Sequence, residues 1–411
     1  MILWGYSEEQ TGNNEMSATK VPDYWTTIIK SKTCQNPPSS LLSSSHLPLS
    51  PTSTAEKASL LTMTDSKTIP SKAPAGRTKG IPAGLSVEFR IEADTFPTDD
   101  GNPSPTHGDE LSMCSTSVSS SVLAHEYKHG RRYHSYQGGS YLFPNDKEEQ
   151  ERLNINHHIY YRALNNRLFL APITLAGKRV LDVGTGTGIW AMELAHLHPE
   201  AEEIVGNDLS PIQPRWCPAN VSFIIDDIEK DWVEPRPYDF IHCRYLCGSI
   251  GDWPRLVRQC FENLQPGGWI EFQEGDYTIY SEDGTLAPDN YIAVLMTHLA
   301  DACRRVGKPI DMAPSIKALV QAQGFQNVRE SIYNLPLGKW PKNPRMKEIG
   351  AFSALQVVEG VDALTAAPFS EVLGWSKEEI RVLKDGVRRD SKRRDVHAMW
   401  NFHVITAQKP K

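Results

Sequence analysis

The sequence predicts an α/β fold in which a mostly parallel sheet carries helices on both faces. Three observations lead there. The stretch "RVLDVGTGTGIWAMELA", Arg179 to Ala195, passes from strand to helical periodicity across a glycine-rich turn. Further apolar strand-like runs follow at "EEIVGNDLS", "VSFIIDDIE", "YDFIHCRYL" and "GGWIEFQE". A helical pattern, Trp253 to Leu264, separates the last two, and strands alternating with helices require parallel pairing with right-handed crossovers.

The first strand is read over Arg179 to Val183, where Val180, Leu181 and Val183 are apolar and β-favouring. From Ile189 the apolar positions Met192, Leu194, Ala195 and Leu197 fall near helical period, so a helix begins after Gly188. The N–H groups at that helix start are open to a ligand. Gly184, Gly186 and Gly188, with Thr185 and Thr187 between them, let a ligand approach bare backbone. The pattern is D-x-G-x-G-x-G. A dinucleotide fingerprint would need glycine where Ile189 stands, and a G-x-x-x-x-G-K-[ST] loop is absent from this site. Asp182 is a poor neighbour for a pyrophosphate and a good one for a cation. S-adenosylmethionine carries an ammonium and a sulfonium and no phosphate. Asp182 is therefore expected at the methionine end, with the glycines admitting the adenosine. A tight turn without ligand is the alternative.

The second strand ends at Asp208, 20 residues after Gly188, with Leu209 next. An acid at about that offset can accept both ribose hydroxyls. The third ends in Asp226 and Asp227, placed for an exocyclic adenine amine; Asp226, like Asp239, is as well explained by capping or a solvated loop. The turn Pro266-Gly267-Gly268 precedes the fifth strand and is no second cofactor loop. Glu274, after that strand, is expected at the pocket mouth. In such sheets a ligand lies outside the strand C-termini, where the named acids fall. Trp190 is read as core.

Ahead of this region, Asn145 or Asp146 can cap a helix whose first turn holds Glu148 and Glu149. His157 and His158 on that helix point about 100° apart, so one can face the cofactor. It would orient the substrate or accept its proton; helix packing is the commoner explanation. Tyr133, Tyr136 and Tyr141 either line a methyl-transfer pocket or pack the segment against the sheet. No catalytic base is assigned.

In these residues the sequence resembles class I S-adenosylmethionine-dependent methyltransferases, and more narrowly the LaeA-like methyltransferases of filamentous fungi. The narrower likeness rests on "YHSYQGGSYLFPNDKEEQERLNINHHIYYRALNNRLFLAPI", "VLDVGTGTGIWAMELA", "GNDLSPIQP", "NVSFIIDDIEKDW", "YDFIHCRYLCGSIGDWPRL", "LQPGGWIEFQE" and "HAMWNFHVITAQKP". It spans about residues 125 to 411. It implies a Rossmann-like, seven-stranded, mostly parallel sheet whose last strand, about Phe402 to Gln408, is antiparallel. It implies that Gly184, Gly186 and Gly188 form the cofactor loop and that Asp208 binds ribose. Asp227 with Ile228 would bind adenine, and Cys243 and Arg244 would meet the methionine moiety. Asn207 departs from the apolar residue expected there. The implied role is regulation of secondary metabolism, as a protein methyltransferase or beside velvet-domain regulators. A small-molecule methyltransferase and a cofactor-binding subunit without turnover are the other readings.

Composition divides the 411 residues. Residues 1–125 are Ser/Thr/Pro-rich and are expected to be disordered, because they bury too little apolar surface to offset chain entropy. Met16 and Met63 leave a later translation start open, and Ser50-Pro51 and Ser104-Pro105 are candidate phosphorylation sites. Residues 126–411 form the methyltransferase domain. Within it, 275–380 reads as a less regular insertion whose helical run, Tyr291 to Val306, covers the substrate. A net charge of −7 and a pI near 6.0 argue against direct nucleic-acid binding. The basic cluster Arg388 to Arg394 reads as a solvated helix face rather than a nuclear localisation signal. The seven cysteines contain no C-x-x-C pair and no zinc-ligand spacing. No metal is expected, and the thiols should be reduced in an intracellular protein of nucleus or cytoplasm. "MILWGYSEEQ" is not a signal peptide, and no run approaches the ~20 apolar residues of a membrane span.

Overall fold

The computed structural model describes residues 111–113, 125–128, 130–134, 142–233 and 235–411. Met16, Met63, the two Ser-Pro sites, Tyr136 and Tyr141 lie outside the described residues, as does most of the segment 1–125. That segment nevertheless supplies a strand. β1 (Leu111–Met113) pairs antiparallel with β6 (Trp216–Pro218), which corrects the expectation of disorder at that point. β2 (His125–Lys128) and β3 (Arg131–His134) form a hairpin.

The main sheet is built from β4 (Arg179–Val183), β5 (Glu203–Asp208), β7 (Val221–Ile225), β8 (Tyr238–Arg244), β9 (Leu264–Tyr280), β10 (Gln326–Pro336) and β11 (Met399–Gln408). Its order is β10-β11-β9-β8-β4-β5-β7. β4 pairs parallel with β5 and β8, β7 joins β5 and β9 joins β8 in the same sense. Only β11 runs against its neighbours, β9 and β10. The predicted seven-stranded sheet is therefore present, with its last strand antiparallel and starting three residues earlier than expected, at Met399.

Alternation along β4 divides the core. Leu181 and Val183 join one cluster with Ile241, Trp253 and Phe272, while Val180 joins the other with Trp190, Phe223 and Phe240. Both faces of the strand are covered, so its sequence is nearly continuous in apolar residues. Trp190 is fully buried and its indole N–H donates to Leu168 O at 3.0 Å, as a core residue should.

Seven α-helices flank the sheet among the described residues: α1 (Lys147–Ala163), α2 (Ile189–Leu197), α3 (Trp253–Glu262), α4 (Tyr291–Arg305), α5 (Ala313–Ala322), α6 (Pro344–Ala367) and α7 (Lys377–Asp390). Asp146 caps α1 by accepting from Glu149 N at 3.1 Å, and Ser376 with Glu379 forms a capping box on α7. The segment 275–380 is not irregular. It contains α4, α5, β10 and α6, and β10 is a strand of the main sheet. β10 escaped the sequence reading because it is an edge strand whose first nine residues are half-buried or exposed. Such a strand lacks the apolar run that marks β4.

The stretch Pro344–Val372 is long and apolar enough to cross a membrane, but 72 % of its most apolar window is buried, so it serves here as a core helix. Three of the five cations in the basic cluster pair with acids: Arg388 with Asp362, Arg389 with Asp390 and Arg393 with Asp395. Arg388 and Arg389 lie on the last turn of α7, whereas Lys392, Arg393 and Arg394 follow its end, so only the first part of the cluster is a helix face. Cys243, Cys247, Cys260 and Cys303 are free and buried. Cys217 is in a disulfide, which corrects the expectation of uniformly reduced thiols.

Candidate functional site

A cleft of about 1240 Å³ lies across the C-terminal ends of β8, β4, β5 and β7. The chain leaves β4 toward β5 on one side and later returns to β8 on the other. This reversal opens a crevice that no crossover fills. Pro144, Asn145, Leu153, Asn156 and His157 roof the cleft from α1 and the residues before it.

The floor is the loop after β4. Gly184 and Gly186 take φ values of +66° and +57°, a region that side-chain-bearing residues rarely adopt. Gly184 N donates to Asn207 Oδ1 at 3.2 Å and Thr185 N donates to Asn207 O at 2.8 Å. Asn207 thus anchors the loop, which explains a polar residue where an apolar one was expected. Gly186 N donates to Asp208 Oδ2 at 2.9 Å, and Ser210 N donates to Asp208 Oδ1 at 2.9 Å. Burial pushes the Asp208 carboxyl pKa above its ordinary value, although these two bonds oppose the shift. Asp208, Leu209, Asp226, Asp227 and Ile228 line the cleft beside the loop.

At the other end stands Arg244, the last residue of β8. Its Nη2 donates to His157 Nδ1 at 2.9 Å. Arginine has no acceptor, so the His157 hydrogen sits on Nε2 and is donated to Glu193 Oε2, 2.9 Å away. Burial raises the Glu193 pKa, but the His157 hydrogen bond and the positive charge around it, Arg244 included, together outweigh burial and hold the group below the ordinary carboxylate range. His157 therefore positions Arg244 and has both ring nitrogens engaged. His158 faces away, with Nε2 at 3.2 Å from Glu348 and its ring edge-on to Phe352. One histidine of the pair reaches the cleft, as their angular separation requires.

Five candidate site residues do not line the cleft. Asp182 does not line the cleft: Thr185 Oγ1 donates to it at 2.6 Å and His242 Nδ1 lies 2.8 Å away. It braces the loop from beneath, because the strand's alternation turns its side chain into the core. Gly188, with φ +78°, meets the core instead of the cleft; an added Cβ would lie 2.6 Å from the Phe223 ring. Cys243 is fully buried in the core cluster with Cys260. Glu274 is fully buried and accepts from Leu246 N at 2.8 Å and Cys247 N at 3.1 Å, so it ties down the chain after β8. Tyr133 is buried and packs its segment instead of lining the cleft.

Glu274 carries a pH prediction. Burial raises its pKa from 4.5 to about 7, and the two backbone bonds only partly oppose this. Between those values the folded state holds a proton that the unfolded chain has released. Stability from this group is therefore full below the unfolded value and is lost as pH rises through about 7. Glu274→Gln should give a shallower fall in thermal midpoint between about pH 5 and about pH 8 than the wild type. An unchanged slope would show that this carboxyl ionises as readily folded as unfolded.

The sequence reading missed Asn145, Asn156, Tyr245, Ser249 and Lys308 at the cleft. Lys308 donates to Glu229 Oε2 at 2.8 Å, closing the acidic end with an ion pair. These residues come from distant elements, and no local pattern joins them. Asn145 alone had a signal, as a candidate cap.

A family profile described as a methyltransferase domain matches residues 155–330. Methyltransferase pytC of Aspergillus terreus is 58% identical over 302 residues, covering 74% of this chain and 93% of that protein. The secondary metabolism regulator LAE1 of Cochliobolus heterostrophus is 38% identical, covering 69% and 94%. The protein-methionine methyltransferase laeA of Emericella nidulans is 33% identical, covering 75% and 84%.

Proposed function

The chain belongs to the LaeA-like S-adenosylmethionine-dependent methyltransferases, and from that premise we propose that the cleft across β8, β4, β5 and β7 holds the methyl donor. The observation that carries the assignment is the row Arg244, Gly184–Gly186, Asp208 and Asp227–Ile228 in one cleft. Arg244 would take the methionine carboxylate, Asp208 the ribose hydroxyls, and Asp227 with Ile228 the adenine. The residues fit such a ligand. An added Cβ on Gly186 would meet only Leu153 Cδ1, at 3.7 Å, so the loop faces open space there. Asp208, Asp226, Asp227 and Glu229 put carboxylates where a pyrophosphate would be repelled.

When bound, S-adenosylmethionine supplies a methyl carbon on a positive sulfur, which is left as a neutral thioether when an acceptor atom takes the methyl and releases its proton to solvent. The chain's part is to hold and align. Arg244 is fixed by His157 and Glu193, and the loop by Asn207 and Asp208. His157 has no free ring nitrogen with which to act as a base, so proximity and orientation carry the rate enhancement. Calorimetry tests the ligand: S-adenosylhomocysteine should bind, and NAD or ATP should not. Tighter binding of NAD would overturn the assignment.

The names of the 33–38% identical relatives favour a second layer, action in the control of secondary metabolism. In this reading the protein works in nucleus and cytoplasm beside velvet-domain regulators. Affinity purification of the chain from cells should recover a velvet-domain protein; its absence under conditions that induce secondary metabolism would remove that partner.

A further inference from the structure

A second, smaller pocket, partly open to solvent, adjoins the cleft; with the open mouth of each counted, they span about 510 Å³ and about 1240 Å³. Tyr245 and Ser249 line both. α4 walls the smaller one through Met296 and Leu299 and α6 through Leu364, which are 8%, 3% and 6% exposed, and α1 contributes Arg152.

Tyr245 is the residue at the junction. It takes φ +59°, a sparsely populated conformation for a bulky side chain. Its backbone is held there by Tyr245 N donating to Gln273 O at 3.2 Å and by Glu274 accepting from the next two N–H groups. The phenol oxygen accepts from Arg152 Nη1 at 2.7 Å and from Gln356 Nε2 at 3.5 Å. Both partners are donors only at these atoms, so the phenol's own hydrogen remains to be given to something else. Arg152 brings no free charge to the chamber. Its Nε and Nη2 are bound to the two oxygens of Glu149 at 2.8 and 2.5 Å.

We infer that this chamber is the methyl-acceptor site, that it takes an uncharged, largely apolar small molecule, and that Tyr245 O–H donates to an oxygen of that molecule and so orients it. The inference rests on the cofactor reading of the neighbouring cleft. A charged acceptor would meet apolar walls and an ion pair already satisfied, and would lose its hydration without replacement. A polypeptide segment would bring backbone N–H and C=O groups that each need a partner. Tyr245, Ser249 and Gln356, with Tyr277 already bonded to Tyr160 and Arg152 to Glu149, are too few for that. A small molecule with one or two oxygens asks for no more than the chamber offers.

The test uses the full chain with methyl-labelled S-adenosylmethionine, offered an organic-solvent extract of the source organism's metabolites and, separately, its total protein. Label should enter the extract and not the protein. Leu299→Trp, which fills the chamber from α4, should lower extract labelling at least about tenfold, and Tyr245→Phe about tenfold. Leu299→Trp, which lies outside the cofactor cleft, should keep S-adenosylhomocysteine affinity within about twofold of the wild type. If Leu299→Trp fails to bind S-adenosylhomocysteine, Tyr245→Phe decides. Label in protein alone, or wild-type extract labelling by the deciding variants, would overturn the chamber while leaving methyl transfer standing. Label in neither would overturn both.

Discussion

Replacing Arg152 by methionine is expected to destabilise the folded protein by about 3–5 kcal/mol. Arg152 and Glu149 are 3% and 2% exposed, and they are joined through two hydrogen bonds, at 2.8 and 2.5 Å. Methionine fills much the same volume but leaves the Glu149 carboxylate buried without its cation. The penalty is that of a stranded charge, not the net worth of the pair. The double variant Glu149→Leu/Arg152→Met should therefore recover most of the loss, because it removes both charges from the interior. Urea denaturation of the three proteins measures this. A loss below about 1 kcal/mol in Arg152→Met would mean that the pair is as well solvated as a surface ion pair. The substitution should also free Tyr245, whose phenol oxygen loses its 2.7 Å donor.

Asp208→Ala is expected to weaken S-adenosylhomocysteine binding at least ~10-fold while leaving the protein folded. A charge-assisted hydrogen bond contributes roughly 1.5–3 kcal/mol, and a ribose offers two donors. Every 1.4 kcal/mol is tenfold in affinity. The carboxylate also receives Gly186 N and Ser210 N, so its removal loosens the loop as well as the ribose contact. The two backbone N–H groups left without this acceptor should cost about 1–3 kcal/mol of stability, partly offset because burial disfavours the charged form of the group. Gly186→Val should weaken binding further: its φ of +57° strains any side chain, and the added methyls would occupy the open cleft. Calorimetry on both variants, with circular dichroism to check the fold, gives the answer. Wild-type affinity in a folded Asp208→Ala protein would leave the ribose assignment without support.

Much of this was legible in the sequence because it is encoded locally. Period-two and helical patterns mark β4 and α2, and the offset from Gly188 to Asp208 is a property of one strand–helix–strand unit. Gly184, Gly186, Asp208, Asp227, Ile228 and Arg244 accordingly line the cleft where they were expected. What the sequence could not determine was the direction of single side chains at strand ends. Asp182 and Cys243 lie at or next to the C-terminal ends of central strands, yet one faces His242 beneath the loop and the other faces Cys260 in the core. A strand residue points to one face or the other by alternation, and only the packing of both faces says which face holds the ligand. The tertiary structure also decided the roof and the second chamber. His157 meets Arg244 87 positions away, and Tyr245 meets Arg152 and Gln356 at separations of 93 and 111. No periodicity spans such distances; those contacts exist because α1 and α6 must bury their apolar faces against the sheet, and that burial carries their polar residues to the mouth of the site.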